Sequence, residues 1–531
     1  MHTILRQYLS VEVNGTESDG LSLQRRLPGL CRDRLMPVLD RVLERCAPPN
    51  EYLCIEHLDI NVGTLALDRL EHDLAEKVAQ ALEKLLREYM PIDASPPTII
   101  AGNIQHKTAS QVVNEVFIYF LKTGTLPWSF RVPAGSNLEQ VINASWQEAA
   151  KAGVSPLVVN ASVLPTLASA TARKRLIQQF SPDFLKNLLA LLSPEGEKVM
   201  DGILQELRNA ERQSLDINYF TRYLWEVVFA NVAMSKILTS IELINEAWRL
   251  LTVVERTALA SFLRQCWPAL IESTKCIPLN LPKSEKTPNN IDKHYDVKKG
   301  FSKAIVDQTK RSAESIPATD ISEHPNTTES ISKITVERTT NIELIPATLS
   351  GSEKTLIDVS EHPDVREGIY IKNAGSVILH PFLPRFFETL EVVNKNRLVQ
   401  PERAIRLLHF LNTGQLIAPE YELVLSKVLC NVPLGTPVNS DVELTATEQE
   451  EAVVLLKAVI RHWEALRNTS PDGLRGAFLL RPGKVSLRDN GDWLLQVESE
   501  TCDILLNQLP WGISMIKLPW MDRMLWVEWQ Y

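Results

Sequence analysis

The sequence has few of the features that mark a catalyst or a secreted domain. No GxxxxGK[ST], GxGxxG, HExxH or GxSxG stretch occurs in its 531 residues. The phosphate-cradling, dinucleotide-binding, zinc-protease and nucleophile-elbow mechanisms therefore lack their local templates. Cysteine is sparse. Cys31, Cys46, Cys54, Cys266, Cys276, Cys430 and Cys502 form an odd, scattered set with no CxxC pair. Such a set is neither a disulfide framework nor a zinc site, and buried free thiols are expected. No run approaches the roughly 18 apolar residues of a membrane span. The opening MHTILRQYLSVEVNG alternates polar with apolar residues instead of forming the apolar stretch of a signal peptide, so a cytosolic start is expected. A basic footprint is missing too: 56 Lys and Arg stand against 65 Asp and Glu, a formal net charge of -9. Nucleic acid is not an expected partner.

The residues that are present describe an ordinary folding chain. Hydrophobic residues make up 44% and charged residues 23%, close to globular usage. The length exceeds what one hydrophobic core supports, so two or more domains are expected. The reading is a mainly α protein with small α+β elements: a helical N-terminal lobe and an α+β C-terminal lobe joined by a disordered linker.

Four regions follow from the patterning. Residues 1–92 form an α+β region. A helical stretch covers Leu21–Cys46, and Leu58, Ile60 and Val62 then alternate as in a strand up to Gly63. Leu67, Leu70, Leu74, Val78, Leu82 and Leu85 follow at three- and four-residue intervals, the stripe of an amphipathic helix. Residues 93–278 keep a helical pattern. Ser181-Pro182 and Ser193-Pro194 are start signals, while Gly124 and Gly153 are glycine stops. From 279 to 368 Trp and Cys vanish, and only Tyr295 and Phe301 are aromatic. That composition cannot offset its ordering entropy, so a flexible linker is expected. Its near-repeats (Ile316-Pro317-Ala318-Thr319 with Ile345-Pro346-Ala347-Thr348, and Ser322-Glu323-His324-Pro325 with Ser360-Glu361-His362-Pro363) read as slipped duplications.

Residues 369–531 form the second lobe. Thr445-Ala446-Thr447-Glu448 reads as a capping box. It opens a helix with a stripe of Val453, Leu456, Val459, Ile460, Trp463 and Leu466. Beyond Ser470 the period falls to two, and Asp489-Asn490-Gly491-Asp492 predicts a hairpin between 484–488 and 493–497. One echo joins the lobes: Phe120-Leu121-Lys122-Thr123-Gly124 and Phe410-Leu411-Asn412-Thr413-Gly414. Shared helix-stop chemistry explains it, and an ancient duplication of a helical unit is the alternative.

No catalytic, cofactor or metal set emerges. The ten histidines are dispersed; His57 and His72 read as neighbours of a core. Glu71 with Asp73, and Asp441 with Glu443, read as solvated faces. His380-Pro381-Phe382-Leu383-Pro384-Arg385-Phe386-Phe387 reads as a rigid packing corner or, alternatively, a ligand pocket. The C-terminus is richest, since six of the eleven tryptophans follow Glu451 and Trp511, Trp520, Trp526 and Trp529 crowd near the end. They serve equally well as the core of a small β-lobe or as interface anchors. With Phe386 and Phe387 they are the partner-binding candidates, and Trp526 and Trp529 are the preferred contacts.

Several phrases resemble the tape-measure proteins of extracellular contractile injection systems, phage-tail-like particles of the antifeeding-prophage and Photorhabdus-virulence-cassette type. They are residues 380–387, Asn468-Thr469-Ser470-Pro471-Asp472-Gly473-Leu474-Arg475, Trp493-Leu494-Leu495-Gln496-Val497-Glu498, and Asp503 to Ser514 continuing through Lys517-Leu518-Pro519-Trp520-Met521. Residues 55–65 and 117–128 are similar as well. The resemblance implies a structural assembly protein, not an enzyme, that sets inner-tube length or initiates tube assembly. Its implied partners are inner-tube, baseplate or cap proteins, with several copies in a particle as one arrangement, and its place is the cytoplasm during assembly and then the particle. An adaptor or chaperone without a ruler role is the alternative. As a single α-helix 531 residues would reach about 800 Å, but the patterning is not that of one helix.

Overall fold

Helices build the first half of the chain and a mixed sheet closes the second, in a computed structural model that describes residues 4, 7–46, 51–55, 57–89, 104–133, 135–151, 153, 157–209, 216–236, 239–267, 365–439 and 442–529. The chain divides into two compact units. The first comprises Met1–Pro282 together with two later segments, Pro419–Glu422 and Gly435–Asp441; the second comprises the remainder. The expected linker, at 279–368, lies almost wholly outside the described residues.

The first unit has two hydrophobic clusters. The smaller gathers helix α1 (Glu17–Leu30), α2 (Met36–Cys46) and α3 (Leu70–Tyr89) around Leu23, Leu35, Val42, Leu74, Leu82 and Leu86. Between α1 and α2 a five-residue π-turn, Cys31–Leu35, sits between Pro28 and Pro37, neither of which has an N–H to donate. The expected stripe is seen, except that Leu86 takes the buried place expected of Leu85 and Leu67 lies exposed before the helix. Leu58, Ile60 and Val62 do alternate inward against this cluster. The ladder, however, lies elsewhere, as β1 (Glu51–Ile55) pairs antiparallel with β2 (Ile104–Thr108). Residues 104–108, read as helical from sequence, are thus a strand.

The larger cluster gathers, among the described residues, a bundle of nine helices: α4 (Ala109–Thr123), α5 (Leu138–Lys151), α6 (Leu157–Leu167), α7 (Ala170–Gln179), α8 (Pro182–Leu192), α9 (Pro194–Asn209), α10 (Asp216–Ala233), α11 (Ser240–Leu250) and α12 (Val253–Cys266). Threonine capping boxes open α4, α11 and α12, where Thr108, Thr239 and Thr252 exchange bonds with Gln111, Glu242 and Glu255. Ser181 and Ser193 cap as expected, accepting from the N–H groups of Phe184 and Gly196. The centre is aromatic. Phe117 meets Trp146, Phe180 and Phe184 edge-on, and the last two stack at 4.4 Å.

The described residues of the second unit hold five helices, α13 (Leu383–Thr389), α14 (Pro401–Thr413), α15 (Val424–Leu429), α16 (Ala446–His462) and the short α17 (Pro471–Leu474). They also hold a five-stranded sheet of β3 (Ile369–Ile371), β6 (Gly483–Leu487), β7 (Trp493–Val497), β9 (Leu525–Trp529) and β8 (Met515–Ile516), in that spatial order. β4 (Val393–Asn394) and β5 (Arg397–Leu398) form a separate two-stranded ribbon. The predicted hairpin is β6–β7, with Gly491 left-handed at φ +85°. The parallel pairing of β7 with β9 brings the last tryptophans into the sheet. The capping box at Thr445 and the stripe through Trp463 are present, Trp463 being fully buried against Phe478.

Candidate interaction surface

Pairing fixes which side chains share a face of the C-terminal sheet, because directly opposed residues project to the same side. Val485, Leu495 and Val527 lie on one face with Trp493, Leu525 and Trp529, and all are buried. On the other face Leu494 stands opposite Trp526, and Trp526 opposite Met515, in one row across three strands. Met515 is exposed; Leu494 and Trp526 are half-buried. This outer row is apolar where a solvated sheet face is normally polar.

Trp526 is held rigidly in that row. Its indole N–H donates to Asp492 Oδ2 at 3.1 Å, and the Arg488 guanidinium lies 5.2 Å from its ring centroid. Both partners come from the β6–β7 turn, so the hairpin sets the ring's orientation. The same indole bond holds the Asp492 carboxyl below the usual carboxylate range.

The structure separates the six candidate residues. Phe386 and Phe387 are fully buried in α13, and the 380–387 stretch packs as a corner, with Phe382 and Leu383 buried as well. Trp520 donates to Leu429 O and lies 5.5 Å from Phe387. Trp529 is buried, donating to Asp503 Oδ2 at 3.0 Å beside the buried Arg481–Asp503 pair. Trp529, a preferred contact from sequence, is therefore a core residue. On β9 it alternates in phase with Leu525 and Val527, which point to the filled face, while Trp526 and Glu528 point the other way. Trp511, half-buried, donates to Ile378 O and meets Phe382 edge-on at 5.2 Å. Only Trp511 and Trp526 of the six keep substantial exposed surface.

His57 and His72 face solvent, each on a neighbouring aspartate, instead of flanking a core. Glu71 forms an exposed ion pair with Arg26. The six described cysteines are free, but only Cys430 is buried and Cys54 is exposed. Cys276 and Asp441 lie outside the described residues. Among the described residues no group of three or more His, Cys, Asp and Glu is placed to hold a metal ion, and no helix is long and apolar enough to cross a membrane.

A family model, that of the contractile injection system tape measure protein, matches the chain over residues 1–529. The class is thus a structural component of a contractile injection system, acting inside the injection particle with tube and particle proteins as its partners. Within that class the chain belongs to the tape measure protein family, and its role is a structural tape-measure role. No curated protein and no solved structure matches it.

Proposed function

We propose that the chain works without catalysis as a ruler whose C-terminal unit anchors it to an inner-tube, baseplate or cap protein, assembled in the cytoplasm before the particle is complete. The observation that carries the anchor is the outer row Leu494, Trp526 and Met515 on a sheet whose opposite face is already filled. A rigid, half-buried indole flanked by apolar neighbours is the usual centre of a binding hot spot. Trp511 is the second contact candidate, and Trp520, Trp529, Phe386 and Phe387 support the surface from the core.

Of residues 279–368, the stretch before Val365 is proposed as the adjustable spacer, since Val365 itself is buried and accepts from the Leu487 N–H. About ninety residues have a contour of roughly 300 Å when fully extended and span nearer 50–60 Å as a relaxed coil. Deleting thirty of them in frame should shorten assembled tubes when measured by electron microscopy, and an unchanged length distribution would refute the spacer. For the anchor, Trp526→Ala with Met515→Ser should abolish co-purification with tube or baseplate proteins in a chain that still unfolds cooperatively, its stability lowered by no more than about 2 kcal/mol. Retained co-purification would refute it.

A further inference from the structure

Residues 57–62 of the first unit have the side-chain pattern of a strand without its ladder. Leu58, Ile60 and Val62 pack against the smaller cluster, while His57 and Asp59 face solvent as a pair, Nε2 to Oδ1 at 2.9 Å. The stretch runs without helix or turn to Gly63, left-handed at φ +68°, whose N–H donates to Asn61 Oδ1. Among the described residues no backbone hydrogen bond reaches 57–62. The strand just before it, β1, pairs with β2 over five residue pairs. Two strands alone make a marginal sheet, and a third is the usual minimum.

The N-terminal segment is open in the same way. Residues 7–14 run without helix or turn up to Gly15 and the capping box at Thr16, and every one of them is exposed. Among the described residues none of them takes part in a backbone hydrogen bond. Leu9, Val11 and Val13, at 38%, 42% and 37% exposure, alternate with Ser10, Glu12 and Asn14, which gives a strand with one apolar side. None of the three belongs to the cluster that Leu58, Ile60 and Val62 cover. Three apolar residues at period two thus match three others, and the two segments stay apart within one chain.

Charge selects the direction of a pairing between them. With Val11 beside Ile60, an antiparallel strand would set Glu12 against Asp59, and like charges directly opposite are destabilising. A parallel strand sets Glu12 beside Asn61 and Ser10 beside Asp59, with Leu9, Val11 and Val13 beside Leu58, Ile60 and Val62.

We propose that residues 9–13 of a second copy of this chain add to 57–62 as a parallel strand, each copy giving its N-terminal segment to the other. The exchange closes on itself with two-fold symmetry, so neither copy keeps an open segment. It meets the backbone donors and acceptors of both stretches and extends the apolar layer over the small cluster. The contact lies in the first unit and goes beyond the anchor, which concerns the C-terminal sheet.

The test is a disulfide between Ser10→Cys and Asp59→Cys in one full-length chain that also carries Cys54→Ser, which removes an exposed thiol. Both positions are exposed, and paired strands lie about 4.8 Å apart, within the roughly 4.4–6.8 Å between Cα atoms that a disulfide spans. Under mild oxidation a covalent dimer is expected on a non-reducing gel, and neither single-cysteine variant should give one. Sedimentation velocity of the unmodified chain should show a dimer that Val11→Asp, at an exposed position, weakens about tenfold. A disulfide closed within one chain overturns the proposal, because the segment would then be a strand of its own copy. So does the absence of any disulfide, a covalent dimer from either single variant, a chain that stays monomeric, or a dimer indifferent to Val11→Asp. None of these readouts involves Trp526, so the anchor stands or falls separately.

Discussion

Arg175 and Glu420 form an ion pair in the first unit, Nε to Oε2 at 3.0 Å, with both side chains fully buried and 245 positions apart in the sequence. Arg175 directs its other nitrogens to Leu121 O and Gly435 O, while Gln179 reaches Val438 O and, through Oε1, accepts from the Glu420 N–H. The first unit is thus completed by residues late in the sequence. Removing one member of such a pair strands the other charge in a dry interior, at a cost of about 3–5 kcal/mol. Arg175→Met should therefore accelerate amide exchange across residues 170–192 by the equivalent of that loss. Arg175→Met with Glu420→Leu should recover only part of it, because Leu121 O and Gly435 O still lack their donor.

Gly124 and Gly414, which close α4 and α14 alike, make a matched comparison. Both have positive φ, so alanine at either costs about 1 kcal/mol or more in backbone strain. At Gly124 the new Cβ would also collide with Glu420 Oε1 and come within 3.0 Å of Arg175 Nε, whereas at Gly414 its nearest neighbour is Arg475 Nη1 at 3.2 Å. Gly124→Ala should cost about 2 kcal/mol more than Gly414→Ala, read as separate losses of exchange protection in the two units. Equal losses would mean that Glu420 does not sit over Gly124.

Local chemistry was legible in the sequence wherever it is written in neighbouring residues. The serine–proline caps, the box at Thr445, the Gly124 and Gly153 stops and the β6–β7 hairpin all depend on residues within a few positions of one another. The stripes on α3 and α16 were legible for the same reason. What escaped depends on distant pairing. β1 and β2 are far apart in the chain, so nothing local marks 104–108 as a strand, and only the parallel β7–β9 register shows that Trp526 faces outward and Trp529 inward. Nothing local marks Arg175 as buried, since its partners Glu420 and Gly435 lie far along the chain.

Trp529 and Trp526 should behave differently on mutation. Trp529→Phe keeps an aromatic ring but takes a donor from the buried Asp503 carboxylate, for a loss of about 2 kcal/mol. Trp526→Phe loses a bond to an aspartate in the β6–β7 turn and should cost under about 1 kcal/mol. Urea unfolding followed by exchange protection in β7 and β9 would compare them. A larger loss at Trp526 would show that the outer row, not the inner face, carries the sheet.

Mild acid should weaken the second unit through two histidines. Burial brings the pKa of His409 down to about 4, and that of His380 likewise to about 4. Each keeps a ring N–H on a backbone carbonyl, Ile417 O and Val377 O respectively, both at 2.9 Å. An unfolded histidine titrates near 6.5. Between that value and about 4 the unfolded chain binds protons that the folded chain refuses, so stability falls as pH drops through this window and is unaffected above it. One pH unit below 6.5 the loss should be about 1.4 kcal/mol per histidine. His409→Gln keeps a donor for Ile417 O and should remove about half of the histidine-driven slope between pH 6.5 and 4.5. Burial also raises the Glu451 carboxyl, which titrates with the opposite sign, but that contribution is common to both proteins and cancels in the comparison. An identical pH slope in the variant would show that His409 is charged in the folded chain.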